Sequence, residues 1–264
     1  MSISDHAGAE RLETQVAQVR AAYLDLMRDS LIGSLNEDPP LPASKVEGYK
    51  PGYREQGWDW PSKAPSMIGA KRMDNVRQEC ERVLQAGIPG DFMETGVWRG
   101  GACIMMRAVL RAYGVTDRRV LAADSFAGFP VSAAPADASF EFIGHKDFAV
   151  PLDEVKAAFA RYGLLDAQVV FFEGFFKDTL PAAPVETLAV LRLDGDMYES
   201  TKDGLVNLYH KLSPGGALIA DDYYLFEAQR QAVDEFRAAH GIADAIIQID
   251  HFGAYWIKDS GASS

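Results

Sequence analysis

Four carboxylates stand in two short runs late in the chain: Asp194 and Asp196, within Asp194-Gly-Asp-Met-Tyr-Glu-Ser-Thr201, and Asp221 with Asp222, just before Tyr223. Each run follows an apolar stretch of strand type, Leu188–Leu193 and Ala217–Ala220. Neighbouring parallel strands end on one edge of a sheet, so the four acids converge there. If the chain stays extended, Asp194 and Asp196 point to one face, about 6.6 Å apart. Carboxylates this close cannot all stay ionised without a cation. A hard divalent ion with oxygen ligands answers that need, Mg²⁺ in particular. The resulting assignment is Asp194, Asp221 and Asp222 as ligands, with Asp196 free to act as a base. The alternative is helix capping, since Asp196, Ser200 and Asp222 each precede a helical pattern. Capping accounts for one acid per run, not for four.

A second chemical stretch is Asp91–Gly101, Asp-Phe-Met-Glu-Thr-Gly-Val-Trp-Arg-Gly-Gly. It reads as a buried strand, a glycine turn at Gly96, and a helix over Ala102–Tyr113 that Gly100 and Gly101 let start close to a ligand. A dinucleotide fingerprint wants glycine where Trp98 stands, because the backbone must approach a pyrophosphate. Glu94, before the first glycine, sits badly beside a phosphate and well beside ammonium and hydroxyl donors. S-adenosylmethionine (SAM) offers both, with a dinucleotide and a purely structural turn as the alternatives. SAM beside a divalent ion suggests methylation of an aliphatic hydroxyl. Coordination lowers the hydroxyl's pKa, a carboxylate removes its proton, and in-line placement supplies much of the rate.

The elements that must position these residues follow from patterning. Residues 8–33 read as a long helix, whose apolar stripe Leu12, Val16, Val19, Tyr23 and Leu26 needs cover from the core or from a second subunit. Residues 36–65 hold six prolines and the aromatics Tyr49, Tyr53, Trp58 and Trp60. This stretch is a cover over the site, with Tyr49, Tyr53 and Arg54 as substrate contacts, or else an aromatic strap packed on the surface. A helix over Met67–Ala86 follows, and then strands and helices alternate. The strands are Asp91–Thr95, Arg119–Ala123, Gln168–Phe172, Leu188–Leu193 and Ala217–Ala220, with an antiparallel pair at Ala245–Ile249 and Ala254–Ile257. The helices between them are Leu152–Tyr162, Lys202–Leu212 and Leu225–Ala239.

This pattern predicts an α/β fold with a SAM-methyltransferase Rossmann-like sheet. That sheet is mostly parallel and seven-stranded, its last strand antiparallel, with a helical N-terminal extension and lid over 1–65 and the methyltransferase domain over 66–264. Asp124, ending the second strand, is placed to accept hydrogen bonds from a ribose diol, or to cap a turn. Gly174, Phe175 and Phe176 form an adenine wall, unless Phe176 is an ordinary core ring. Residues 130–150, rich in alanine and phenylalanine, make a second cover, and the tail Ser260–Ser264 is expected to fray.

The 264 residues, 48% of them hydrophobic, suffice for one large α/β domain. A net charge of -12 argues against a nucleic-acid partner. No apolar run is long enough to span a membrane, and the N-terminus lacks a signal-peptide pattern, so the expected compartment is the cytoplasm. Cys80 and Cys103 have no ligand or redox spacing and read as reduced thiols.

Seven motifs together resemble the macrocin O-methyltransferases, Mg²⁺- and SAM-dependent enzymes that methylate deoxysugar hydroxyls of actinomycete antibiotics. They are Asp59-Trp-Pro61, Met67-Ile-Gly-Ala-Lys-Arg-Met-Asp-Asn75, Glu94-Thr-Gly-Val-Trp-Arg-Gly-Gly101, Asp124-Ser-Phe-Ala-Gly-Phe-Pro130, Phe176-Lys-Asp-Thr-Leu-Pro181, Asp194–Thr201 and Asp221-Asp-Tyr223. The likeness runs over most of the chain. It implies cofactor contacts from Ser66 and Met67, from Glu94, Thr95, Gly96, Val97 and Trp98, from Asp124, Ser125, Phe126 and Gly128, and from Gly174, Phe175 and Phe176. It implies Asp194, Asp221 and Asp222 as metal ligands, Asp196 as catalytic base, and a glycosylated small-molecule acceptor such as a macrolide or aminocoumarin. It also implies a homodimer or higher homo-oligomer, whose N-terminal helix and lid reach the neighbouring site. Phe175 stands where the family often has Trp, and Ser66 where it often has Thr, and both swaps keep the chemical type. A catechol- or phenol-type Mg²⁺ methyltransferase is the alternative; that class commonly pairs its strand-five Asp with Asn, whereas Asp221-Asp222 is doubly acidic.

Overall fold

The computed structural model describes residues 3–259; the tail 260–264 lies outside the described residues. Seven strands form one sheet in the order β3-β2-β1-β4-β5-β7-β6. They are β1 (Asp91–Thr95), β2 (Val120–Asp124), β3 (Val169–Glu173), β4 (Leu188–Leu193), β5 (Leu212–Ala220), β6 (Ile247–Gln248) and β7 (Ala254–Ile257). The first five run parallel, and β7 is antiparallel to both of its neighbours. The order reverses between β1 and β4, so the crevice outside their carboxyl ends is the place for a ligand. Every residue of β1 and β4 is buried, because helices cover both faces.

The helices are α1 (Ile3–Leu31), α2 (Pro51–Gln56), α3 (Gly69–Gln85), α4 (Gly101–Ala112), α5 (Leu152–Arg161), α6 (Phe176–Thr179), α7 (Tyr198–Leu208) and α8 (Glu227–Ala239). In α3 the residues Met73, Val76, Cys80 and Val83 recur at helical spacing and are fully buried. In α1 the buried face is Leu24, Met27 and Leu31, which join α3 and α4 in one core cluster. The stripe expected to be covered points elsewhere. Leu12, Val16, Val19 and Leu26 are exposed, at 62%, 47%, 70% and 56%. Of that stripe the core takes in only Tyr23, half-buried, and leaves the other four residues uncovered.

Two differences of boundary have simple causes. The strand expected at Ala217–Ala220 instead begins at Leu212, beside Leu188, so that Ser213–Gly216 are drawn into β5. Helix α7 begins four residues earlier than its apolar pattern, at Tyr198, because a carboxylate from a distant segment caps it. Residues 36–65 fold back on themselves. Leu41 N–H donates to Trp60 at 2.6 Å, and Pro40 bridges to Pro61.

Candidate active site

At the β1 turn Gly96 adopts φ 86°, and a Cβ on it would overlap the carbonyl oxygen of Asp194. Only glycine lets the turn after β1 lie against the turn after β4. Gly101 is equally constrained, since a Cβ there would overlap Ser66 and come within 2.7 Å of the Pro65 carbonyl. The β1 turn is then locked from the side. Asp124 accepts the Val97 N–H at 2.7 Å and the Phe126 N–H at 2.8 Å. Burial raises its pKa, and those backbone donors oppose the rise. Asp124 therefore fastens the turn, and the residue also lines the cavity.

That cavity encloses about 350 Å³ at the β1/β4 crevice. Ser66, Met67, Glu94, Gly96, Val97, Trp98, Asp124, Ser125, Gly128, Phe175 and Phe176 line it. Three of the expected cofactor residues stand behind the wall. Thr95 is buried in the sheet, Phe126 is buried edge-on to Phe171 with 6.4 Å between ring centres, and Gly174 forms the bend behind Phe175.

The expected substrate contacts need correction. Arg54 is fully buried. Its guanidinium binds both oxygens of Asp59, at 2.6–3.2 Å, and the carbonyls of Ile32 and Asp38, at 2.8 and 2.7 Å. It ties the 36–65 segment together and, fully buried, is out of reach of an acceptor. Tyr49 and Tyr53 also lie off the cavity wall, one over the Arg54 guanidinium and the other edge-on to Trp58. Trp60, Phe129, Phe142, Phe148 and Phe226 form the roof instead. Trp60 and Phe148 stand 5.1 Å apart edge-to-face, and Phe142 and Phe148 likewise. Except for Trp60, these rings come from residues 129–148 and from the segment after Asp222.

Among the described residues, Asp194, Asp221 and Asp222 bring carboxylate oxygens within 4.8 Å of one another. Three oxygens around one small hard cation stand about 3–4 Å apart, so this donor set fits such an ion with only small adjustment. Asp221 Oδ1 is buried without a directed hydrogen bond, although Arg192 Nη2 lies 2.5 Å away. Asp196 borders the cluster, but not in the extended conformation expected of it. β4 ends at Leu193, and Asp196 turns to φ 56°. Burial, then Asp194, push its pKa up to about 8, and the same causes of burial and neighbouring acids push Asp222 well up. Burial also raises Asp194, against the pull of Arg192.

The premise that only a bound cation can balance these acids is also corrected, because two buried arginines take part. Arg192, the one charged residue of β4, contacts Glu94, Asp194 at 2.7 Å and Asp221. Arg72 of α3 contacts Asp221 and reaches Asp250 at 3.2 Å. Glu94 is held between Arg192 and the Cys103 thiol, and burial, opposed by Arg192, lifts its pKa to about 7. Sequence reading missed Arg72, Arg192 and Asp250. A lone arginine inside an apolar strand was the available signal for Arg192, since an unpaired buried charge is not tolerated.

A sheet of this order, with its ligand crevice at the β1/β4 reversal and the reversed strand β7 inserted between β5 and β6, is that of the Rossmann-like class of O-methyltransferases. The comparisons narrow that class. The family model described as Macrocin-O-methyltransferase (TylF) matches residues 24–258. The chain belongs to that family. It is 49% identical over 241 residues to the demethyldecarbamoylnovobiocin O-methyltransferase of Streptomyces niveus, covering 89% of this chain and 92% of that one. It is 51% identical to a tetracenomycin-C rhamnosyl 4'-O-methyltransferase of Streptomyces olivaceus, with 90% and 92% covered. It is 47% identical to the mycinamicin III 3''-O-methyltransferase of Micromonospora griseorubida, with 90% and 96% covered. The solved structure of the O-methyltransferase NovP superposes with a TM-score of 0.88 at 49% identity, over 91% of this chain and 99% of that chain.

Proposed function

We propose that the chain is a SAM- and Mg²⁺-dependent O-methyltransferase that methylates a sugar hydroxyl of a glycosylated natural product. The observation that carries the reading is the convergence of Asp194, Asp221 and Asp222 beside Asp196, on the same cavity as the Gly96 turn. The names of its relatives, which are glycoside or antibiotic methyltransferases, support the acceptor class.

In this reading the Glu94–Trp98 turn, Asp124 and the Phe175–Phe176 wall hold SAM, with Asp124 accepting hydrogen bonds from the ribose diol. Bound there, SAM would supply a methyl group on its sulfonium. Asp194, Asp221 and Asp222 would hold a hard divalent cation, which lowers the pKa of an alcohol coordinated to it. Asp196 takes the hydroxyl proton. Its buried position makes it a stronger base than an exposed carboxylate once it is ionised. The aromatic roof keeps water from the reacting atoms. A homodimer belongs to the same reading and is supported by the exposed stripe of α1. So does a reducing, cytoplasmic setting, in keeping with two buried free cysteines.

The test is methyl transfer from SAM to demethyldecarbamoylnovobiocin, with and without EDTA, beside calorimetric titration with S-adenosylhomocysteine and with NAD. Binding of the adenosyl ligand and loss of turnover in EDTA are expected. Full turnover in EDTA rules out the cation's role, and a preference for NAD rules out the cofactor. The Asp196→Asn protein should lose most turnover and keep its affinity for S-adenosylhomocysteine. A large drop in that affinity would overturn the base assignment.

A further inference from the structure

Residues 130–150 roof the cavity with little regular structure of their own, only two short 3-10 turns. Three attachments hold the roof down. Trp98 of the β1 turn donates its indole N–H to the Asp147 carbonyl at 2.8 Å. Phe140 and Phe142 stand edge-on to Phe226, which follows the Asp221-Asp222 pair by four residues, at 5.6 and 6.3 Å. The third attachment is Asp137. It is 3% exposed, while the alanines beside it are not buried. Its carboxylate accepts the Tyr198 N–H at 2.6 Å, the Glu199 N–H at 3.2 Å and the Ser132 hydroxyl at 2.6 Å. Those two amides open α7, whose own N-cap position is Met197, a side chain that makes no capping hydrogen bond. A roof residue therefore caps a helix that starts 61 positions further along the chain.

The capped end lies next to the acid loop. Between β4 and α7 only Asp194, Gly195, Asp196 and Met197 intervene. Asp196 holds a left-handed backbone, φ 56°, which an aspartate adopts at a cost of about 1 kcal/mol. Such a conformation persists when both ends of its loop are fixed. The β4 end is fixed by the sheet. The other end is fixed by α7, whose first amides are held by the roof.

We infer that Asp137 is a positioning residue: by capping α7 from the roof, it sets the backbone of Asp196 and makes the base geometry depend on the roof being closed. The inference rests on the reading of Asp196 as the base. Asp137 itself lies off the cavity wall and touches no reacting atom.

The experiment compares the wild-type chain with Asp137→Ala, Asp137→Asn and Asp196→Asn, each with S-adenosylhomocysteine bound for hydrogen exchange. Turnover is read with SAM and demethyldecarbamoylnovobiocin. Asp137→Ala should lower kcat by roughly ten- to a hundredfold and leave S-adenosylhomocysteine affinity within about threefold. Exchange should quicken together at the Tyr198 and Glu199 amides and across 131–148. Asp137→Asn, whose amide oxygen still caps a helix, should recover most of kcat. A wild-type kcat in the alanine protein overturns the inference. So does faster exchange at 198–199 with an unchanged roof, which would leave Asp137 a cap and nothing more. If the alanine protein does not fold, Asp137→Leu, which fills the buried position and cannot cap, is read by the same criteria. If the wild type does not turn over this acceptor, the exchange comparison decides alone. Turnover retained by Asp196→Asn instead defeats the base assignment, and linked exchange at the roof and α7 would then stand by itself.

Discussion

The two halves of the cavity floor are built by different forces. On the β1–β2 side the turn is fixed by neutral backbone donors and close backbone contact. Asp124 collects amides, and Gly96 lies against the Asp194 carbonyl. On the β4–β5 side the acids are fixed by charge, with Arg192 and Arg72 threaded between carboxylates. Backbone contacts keep their geometry whatever is bound. A buried charge cluster keeps its geometry only while its charges balance. One half is thus ready for its ligand in advance, and the other is sensitive to any change of ion.

This contrast can be broken in order of expected effect. Arg192→Met should be the most damaging change, because it strands Glu94, Asp194 and Asp221 without their shared cation. A loss of about 3–5 kcal/mol in urea unfolding is expected, and added Mg²⁺ should narrow it. A loss below about 1 kcal/mol would mean that charge is not what holds the β4–β5 side. Gly96→Ala attacks the other half, through a left-handed backbone and the Asp194 carbonyl. It should lose about 2–3 kcal/mol, this time with no response to Mg²⁺. A Mg²⁺ response equal to that of Arg192→Met would erase the distinction. Asp124→Ala should weaken S-adenosylhomocysteine binding by about 1–3 kcal/mol, since two amides lose their acceptor and the ribose loses a partner. Unchanged affinity in calorimetry would remove Asp124 from the cofactor site. Tyr53→Phe should be the mildest, with turnover within about twofold of wild type, because its ring lies off the cavity. A rise in the acceptor KM would restore Tyr53 as a contact.

Much of this was legible in the sequence where local pattern and burial agree. β1 and β4 fall on their expected residues, because glycines bound the one on both sides and the other is a short, nearly apolar run that ends at an acid. The convergence of Asp194, Asp221 and Asp222 followed from strand order alone. What pattern could not give is pairing at long range. Arg72 lies 149 positions from Asp221, and nothing in α3 marks it as the acid's partner. Arg54 was misread for a related reason. Beside tyrosines in a proline-rich stretch it resembles a ligand contact, yet Asp59, five residues on, already claims its guanidinium. The early start of α7 was hidden too, since its cap is supplied by Asp137.

Gly96 meeting the Asp194 carbonyl has a consequence for redesign. The floor is closed by main chain against main chain, so a new side chain there has nowhere to go. Efforts to broaden or retarget the acceptor are better spent on exchanging the second cover, 130–150, which carries roof rings of the cavity, as a cassette. Any graft of the second cover has to carry a capping side chain in register with Asp137, or the transplanted roof will lose one of its three fastenings.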